Sequence, residues 1–106
     1  MTTDTQYEAM LTLAIPGALE GDVLDFLLLH PEQAPGFSVV DAHGMGQGAT
    51  LHTTLEQVQG RCRRKLVHVV GSVDGLKALV AQLAAELRNA EVAWWLTPVI
   101  AFGRLV

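Results

Sequence analysis

The chemically active side chains of the chain are concentrated in residues 44–65, GMGQGATLHTTLEQVQGRCRRK. Gly44, Gly46 and Gly48 open the stretch, with Gln47 between the last two, and Arg61, Arg63, Arg64 and Lys65 close it. Guanidinium forks match the geometry of a carboxylate or phosphate, and glycine amides can add backbone donors, so the pattern is that of an anion site. In a strand, 61, 63 and 65 point one way and 64 the other, so no single pocket takes all four cations. The alternative use of the same residues is a solvated strand end, its cations paired with acids such as Glu56 or Asp41.

A second chemistry is metal binding. His43, His52 and Cys62 are ligand types for a soft or borderline cation, and His43 and Cys62 fall where two strands of a hairpin would end and begin. His68 cannot join them in the same subunit, because six residues of strand put it about 20 Å from Cys62. No C-x-x-C or H-x-x-x-H pair is present. Two phosphate-binding patterns also fail. The glycines read G-x-G-x-G with no helix opening behind them, unlike a dinucleotide fingerprint, and VQGRCR, which resembles the acylphosphatase cradle, leads into an apolar strand instead of a helix. No nucleophile–base pair or carboxylate dyad is visible, so the chain is not expected to be an enzyme. Glu20, Asp22 and Asp25 read as a solvated helix face.

These residues must be positioned by the elements around them. Tyr7 to Ile15 alternates as a strand and is stopped by Pro16-Gly17. Leu19, Val23, Phe26, Leu27 and His30 recur at spacings of three and four before Pro31, which predicts an amphipathic helix over 18–30 with His30 at its C-terminal dipole. Phe37 to His43 and Lys65 to Gly71 predict two further strands. Ser72 is a good N-cap for a helix whose stripe is Leu76, Leu79, Val80, Leu83 and Leu87, with Asn89 as its end, and EVAWWLTPVI supplies the last strand. The order β-α-β-β-α-β predicts an α+β, ferredoxin-like domain: a four-stranded antiparallel sheet with both helices on one face. The connection between the middle strands is then far longer than the two to five residues usual for a hairpin, and its Met45–Gln57 part, with no apolar period, is expected to be mobile without a ligand.

At 106 residues the chain is read as one domain, 1–106. Half its residues are apolar and 17% are charged, which is apolar-rich for so small a unit and suggests that some surface meets another subunit. Val67, Val69 and one of the two tryptophans are expected to need cover that two helices on a single face cannot give. A net charge of −4 argues against nucleic-acid binding, although four of the seven Lys and Arg residues sit at 61–65. The N-terminus lacks a signal-peptide pattern, no apolar run is long enough to span a membrane, and the single Cys62 fits a reducing compartment, so a cytoplasmic protein is expected.

Four stretches carry a family resemblance: LTLAIPGALEGDVLDFLL at 11–28, GFSVVDAHGMG at 36–46, LEQVQGRCRRK at 55–65 and WWLTPVIAFGRL at 94–105. Together they resemble the small PII-like proteins, and among them the short proteobacterial group of unknown function encoded beside heavy-metal efflux pumps. The resemblance implies a βαββαβ core, a T-loop between the second and third strands, and a signalling homotrimer rather than an enzyme. It implies a small anionic effector, a nucleotide among the candidates, bound through Gly44, Gly46, Gln47, Gly48, Arg61, Arg63, Arg64 and Lys65. A membrane transporter or efflux-pump component is the implied partner. The chain departs from nucleotide-binding PII proteins after the second helix, where Asn89-Ala90-Glu91 stands in place of a T-G-x-x-G-D-G-K loop, which argues against ATP held in the usual PII manner. A metal ion at His43, His52 and Cys62, in a protein similar to the CutA copper-tolerance family, is the rival expectation.

Overall fold

The computed structural model describes residues 2–3, 6–44, 62–89 and 91–106, with Thr2, Thr3 and Cys62 described in their backbone alone. In chain order the elements of the described residues are β1 (Thr2–Thr3), β2 (Ala9–Pro16), a 3-10 turn (Gly17–Leu19), α1 (Glu20–Leu28), β3 (Phe37–Gly44), β4 (Cys62–Gly71), α2 (Val73–Leu87), β5 (Ala93–Pro98) and β6 (Gly103–Arg104). The main sheet has the order β3-β4-β2-β5, with each neighbouring pair antiparallel. That is the ferredoxin-like arrangement expected from the element order. A short β1–β6 pair, which the sequence did not predict, joins the two ends of the chain.

Alternation along the strands sorts the sheet into two faces. Leu11, Leu13 and Ile15 of β2 share a face with Val67 and Val69 of β4, and all five are buried in one core with Val23, Phe26 and Leu27 of α1 and Leu76, Leu79, Val80 and Leu83 of α2. The helical stripes therefore serve the purpose their spacing implied. Val67 and Val69, expected to need outside cover, are instead fully buried under the helices. The opposite face carries Met10, Thr12 and Ala14 of β2, Val40 of β3, Leu66, His68 and Val70 of β4, and Trp95 of β5. Among the described residues no helix covers that face, and Val40 and Trp95 remain 46% and 43% exposed.

Local signals explain where the helices stop. The first helix is shorter than predicted, because the Pro16-Gly17 region forms a 3-10 turn and Pro31 follows closely. His30 Nδ1 donates to the Phe26 carbonyl at 2.7 Å and its ring stacks on Phe26, which satisfies an end carbonyl as expected for a helix-end histidine. At α2, the Ser72 hydroxyl accepts from the Gly75 amide at 3.1 Å. Arg88, not Asn89, caps the far end, with the left-handed φ of 40° that terminates many helices. Among the described residues no helix is long and apolar enough to cross a membrane.

Candidate functional site

The β3–β4 hairpin outruns the rest of the sheet. β2 pairs with β4 from Arg64 onwards, whereas β3 pairs with it from Cys62, so the Cys62 and Arg63 positions have ladder partners in β3 alone. The strand starts three residues earlier than the sequence predicted. Its first residues are polar and show no apolar alternation, and what holds them extended is the β3 edge.

The register fixes what each cation meets. Lys65 lies opposite Asp41 on one side and Ile15 on the other, Arg64 opposite Ala42 and Pro16, Arg63 opposite His43, and Cys62 opposite Gly44. As the period of two requires, Arg63 and Lys65 share the helix-side face and Arg64 takes the other. The cluster is therefore divided between two surfaces.

Lys65 is engaged by carboxylates from two elements. Its ammonium pairs with Asp41 directly across the ladder and lies 3.7 Å from Glu20 Oε2, at the first turn of α1. The Lys65 hydrogen bond and charge hold the Asp41 carboxyl below its ordinary value, and the Asp41 hydrogen bond raises Lys65. Glu20, read from sequence as solvated, is thus part of this contact. The missed signal was its place one turn after Pro16, where β2 hands over to α1 beside β4. Arg64 Nη1 donates to the Glu91 carbonyl at 3.3 Å, tying the hairpin to the turn that enters β5. Asn89 Oδ1 accepts from the Glu91 amide at 2.8 Å and shapes that same turn.

Arg63 and His43 complete the described part of the site. Both are exposed, they occupy directly opposed ladder positions, and they stand two ladder positions nearer the hairpin end than the Lys65–Asp41 pair. A guanidinium beside an imidazole, next to the Gly44 backbone, is chemistry suited to an anion. Gly46, Gln47, Gly48, His52 and Arg61, with the whole expected T-loop at 45–61, lie outside the described residues. Among the described residues no group of three His, Cys, Asp or Glu side chains is placed to hold a metal ion. His68, as expected for a sheet-face histidine, bonds through Nδ1 to Thr12 Oγ1 at 3.1 Å. Trp94 lies on the helix side opposite Leu13 and lines an apolar cleft with Leu87 and Val92, whereas Trp95 lies opposite Thr12 on the uncovered face.

A family model described as "Protein of unknown function (DUF3240)" matches residues 5–106. No curated protein matches the chain significantly. Among solved structures, a DUF3240 family protein from Shewanella baltica OS155 superposes with a TM-score of 0.73 at 20% identity, covering 94% of this chain and 98% of that one. CPII, a nitrogen regulatory PII-like protein from Thiomonas intermedia K12 bound to ADP, AMP and bicarbonate, gives 0.67 at 13% identity, covering 93% and 96%. CutA from Synechococcus elongatus PCC7942, complexed with Bis-Tris, gives 0.69 at 15% identity, covering 96% and 90%. At such identities the likeness is one of fold: the sheet and two helices described above are those of PII-like and CutA proteins.

Proposed function

We propose that this chain, which belongs to the DUF3240 family, is a PII-like regulatory protein that binds a small anionic effector at the base of its β3–β4 hairpin and passes that state to a protein partner. The observation that carries the reading is the projecting hairpin, with Arg63 and His43 side by side beyond the end of β2 and with Lys65 and Arg64 anchoring its base. An anion held there by Arg63, His43 and the Gly44 backbone, together with Gly46, Gln47, Gly48 and Arg61 of the adjoining stretch, favours one arrangement of the hairpin by its differential affinity. The partner that reads that arrangement is a transporter or efflux-pump component, and the protein itself performs no catalysis.

The assembly we propose is a homotrimer formed through the uncovered sheet face. Leu66, Val40 and Trp95 supply its apolar contact, in the place that the sequence reading gave to Val67 and Val69. Burying such a face removes apolar area from water without requiring a third layer of helices.

Native mass spectrometry tests both parts together. The protein is sprayed alone and with bicarbonate, AMP, ADP, a copper salt and a zinc salt in turn; the first three are the ligands of the CPII structure, whose fold is similar. Trimers that take up one of the anions in wild type and lose it in Arg63→Ala support the reading. Stoichiometric metal uptake that His43→Ala abolishes, with no anion bound, supports the CutA-like metal reading instead.

A further inference from the structure

We propose that the outer side of the helix layer docks a basic amphipathic helix of the partner protein. This rests on the regulatory reading above and gives the partner's contact its chemistry. The end of α1, the segment that follows it and the second half of α2 enclose an open groove of about 680 Å³. Its lining on α2, Gln82, Ala85 and Glu86, is exposed, on the side of that helix turned away from the core stripe of Leu76, Leu79, Val80 and Leu83. The groove therefore faces away from the sheet, and a trimer formed through the uncovered sheet face leaves it open.

One wall of the groove is apolar and firmly held. Leu28 and Leu29 are 66% and 79% exposed, although the two residues before them, Phe26 and Leu27, are buried. Large adjacent side chains left in water on a small domain mark a contact surface. His30 and Pro31 continue the wall from Leu29. The imidazole is fixed there, its ring stacked on Phe26 with centroids 4.1 Å apart and its Nδ1 donating to the Phe26 carbonyl at 2.7 Å. Across from it stands Ala85, with Ala81 exposed one turn earlier on the same face of α2. Such small side chains let a third helix approach closely, its apolar stripe set against Leu29.

Charge selects what flanks that stripe. Residues 1–60 contain no lysine or arginine and none lines the groove, whereas Glu32 and Glu86 both do. Neither carboxylate has an ion pair or a side-chain hydrogen bond with another described residue. The first helix ends there without a basic residue in its last turn, so the negative end of its dipole adds to the same field. Lys77, the cation of α2, lies about 12 Å along that helix from Ala85. An apolar stripe bordered by Lys or Arg satisfies leucines and carboxylates together. An anionic membrane surface or a nucleic acid is repelled, and a second copy presenting this face would set the same acids against each other. Transporters carry an excess of Lys and Arg in the cytoplasmic segments beside their membrane spans, which is the chemistry this groove takes.

Fluorescence anisotropy tests this with a labelled synthetic helix of about fifteen residues, leucine at helical spacing and lysine elsewhere, and with a counterpart carrying glutamate for lysine. The expected result is saturable binding of one lysine peptide per chain and none of the glutamate peptide. Glu32→Gln with Glu86→Gln should weaken it about tenfold or more, and Leu29→Ser, at a position already exposed, about fivefold or more. Asp22→Asn with Asp74→Asn removes the same net charge from exposed positions outside the groove, and should change affinity by less than about twofold. No saturable binding, equal loss in the two double variants, or undiminished binding by Leu29→Ser would overturn the proposal. Arg63→Ala should bind the peptide as wild type does, so the groove and the anion site at the hairpin base can each fail without the other.

Discussion

Lys65 meets Asp41 directly across the β3–β4 ladder and reaches Glu20 at the start of α1 with the same ammonium. One cation thereby links the edge strand, the neighbouring strand and a helix. With both acids on its ammonium, Lys65 serves the site by holding the hairpin base, while Arg63 is the described cation nearest the hairpin end.

The Lys65–Asp41 contact predicts a titration. Asp41 is held below its ordinary value of 3.8 by the Lys65 hydrogen bond, and Lys65 is held above its ordinary value of 10.5 by Asp41. A depressed carboxylate contributes stability at higher pH that is lost as pH falls through its folded value, and a raised ammonium contributes stability that is lost as pH rises through its own. The contact is therefore intact throughout the neutral range and fails only at the acid and alkaline extremes. Carbon NMR of the Asp41 carboxyl should give a midpoint below 3.8, returning toward it in Lys65→Met; equal midpoints in both proteins would show that the pair does not form in solution. Because Asp41 is exposed, Lys65→Met should change the melting temperature by no more than a few degrees.

Ser72→Ala removes the side-chain cap of α2 and should cost about 1 kcal/mol, a fall in melting temperature of roughly 4–8 °C for a domain of this size. Leu79→Ala, deep in the core, should cost about 2–5 kcal/mol. Thermal denaturation of the two variants should rank them in that order, and a reversed order would mean that α2 is not packed as described.

The uncovered face predicts how the assembly fails. Leu66→Glu or Trp95→Glu places a charge where another copy would sit, while the helix-side core is untouched. Sedimentation should show wild type at three times the chain mass of 11.4 kDa and either variant at a lower multiple with its helix content retained. A wild-type monomer at micromolar concentration would remove the trimer and with it any site between subunits.

Metal binding has its own discriminating pair. If His43 and Cys62 are ligands, His43→Ala and Cys62→Ser should each abolish stoichiometric uptake with the fold intact. Equal uptake by the double variant would assign His43 to the anion chemistry or to the strand alone.

Much of the fold was legible because periodicity reports burial. Leu11, Leu13 and Ile15 alternate because one side of β2 meets the helices, and Leu76, Leu79, Val80 and Leu83 recur because one side of α2 meets the sheet. Which face of β4 stays uncovered was not legible. Leu66 and Val70 are as apolar as Val67 and Val69, and only the register with β2 tells the pairs apart. The start of β4 was missed because Cys62, Arg63 and Arg64 have no apolar period and depend on a partner strand some twenty positions earlier. Asp41 was named as an acid that could neutralise the cluster, and it does so for Lys65. Glu20 and the Glu91 carbonyl were not, since each reaches its cation through tertiary placement that leaves no mark in local sequence.

That the hairpin base is an anion site built on Arg63 is tested most directly by calorimetric titration of the wild-type protein, Arg63→Ala and Lys65→Met with the anion retained in native mass spectrometry. Removing a charge-assisted donor from such a site typically costs about 1.5–3 kcal/mol, roughly 10- to 100-fold in affinity, whereas removing a solvated surface charge changes stability by about half a kcal/mol or less. The expected result is at least a tenfold loss in Arg63→Ala at unchanged melting temperature and oligomer mass, with a weaker salt dependence, and a smaller loss in Lys65→Met. Wild-type affinity in Arg63→Ala, or an Arg63→Ala protein that binds normally but falls apart as an oligomer, would contradict it and make the basic cluster an element of assembly.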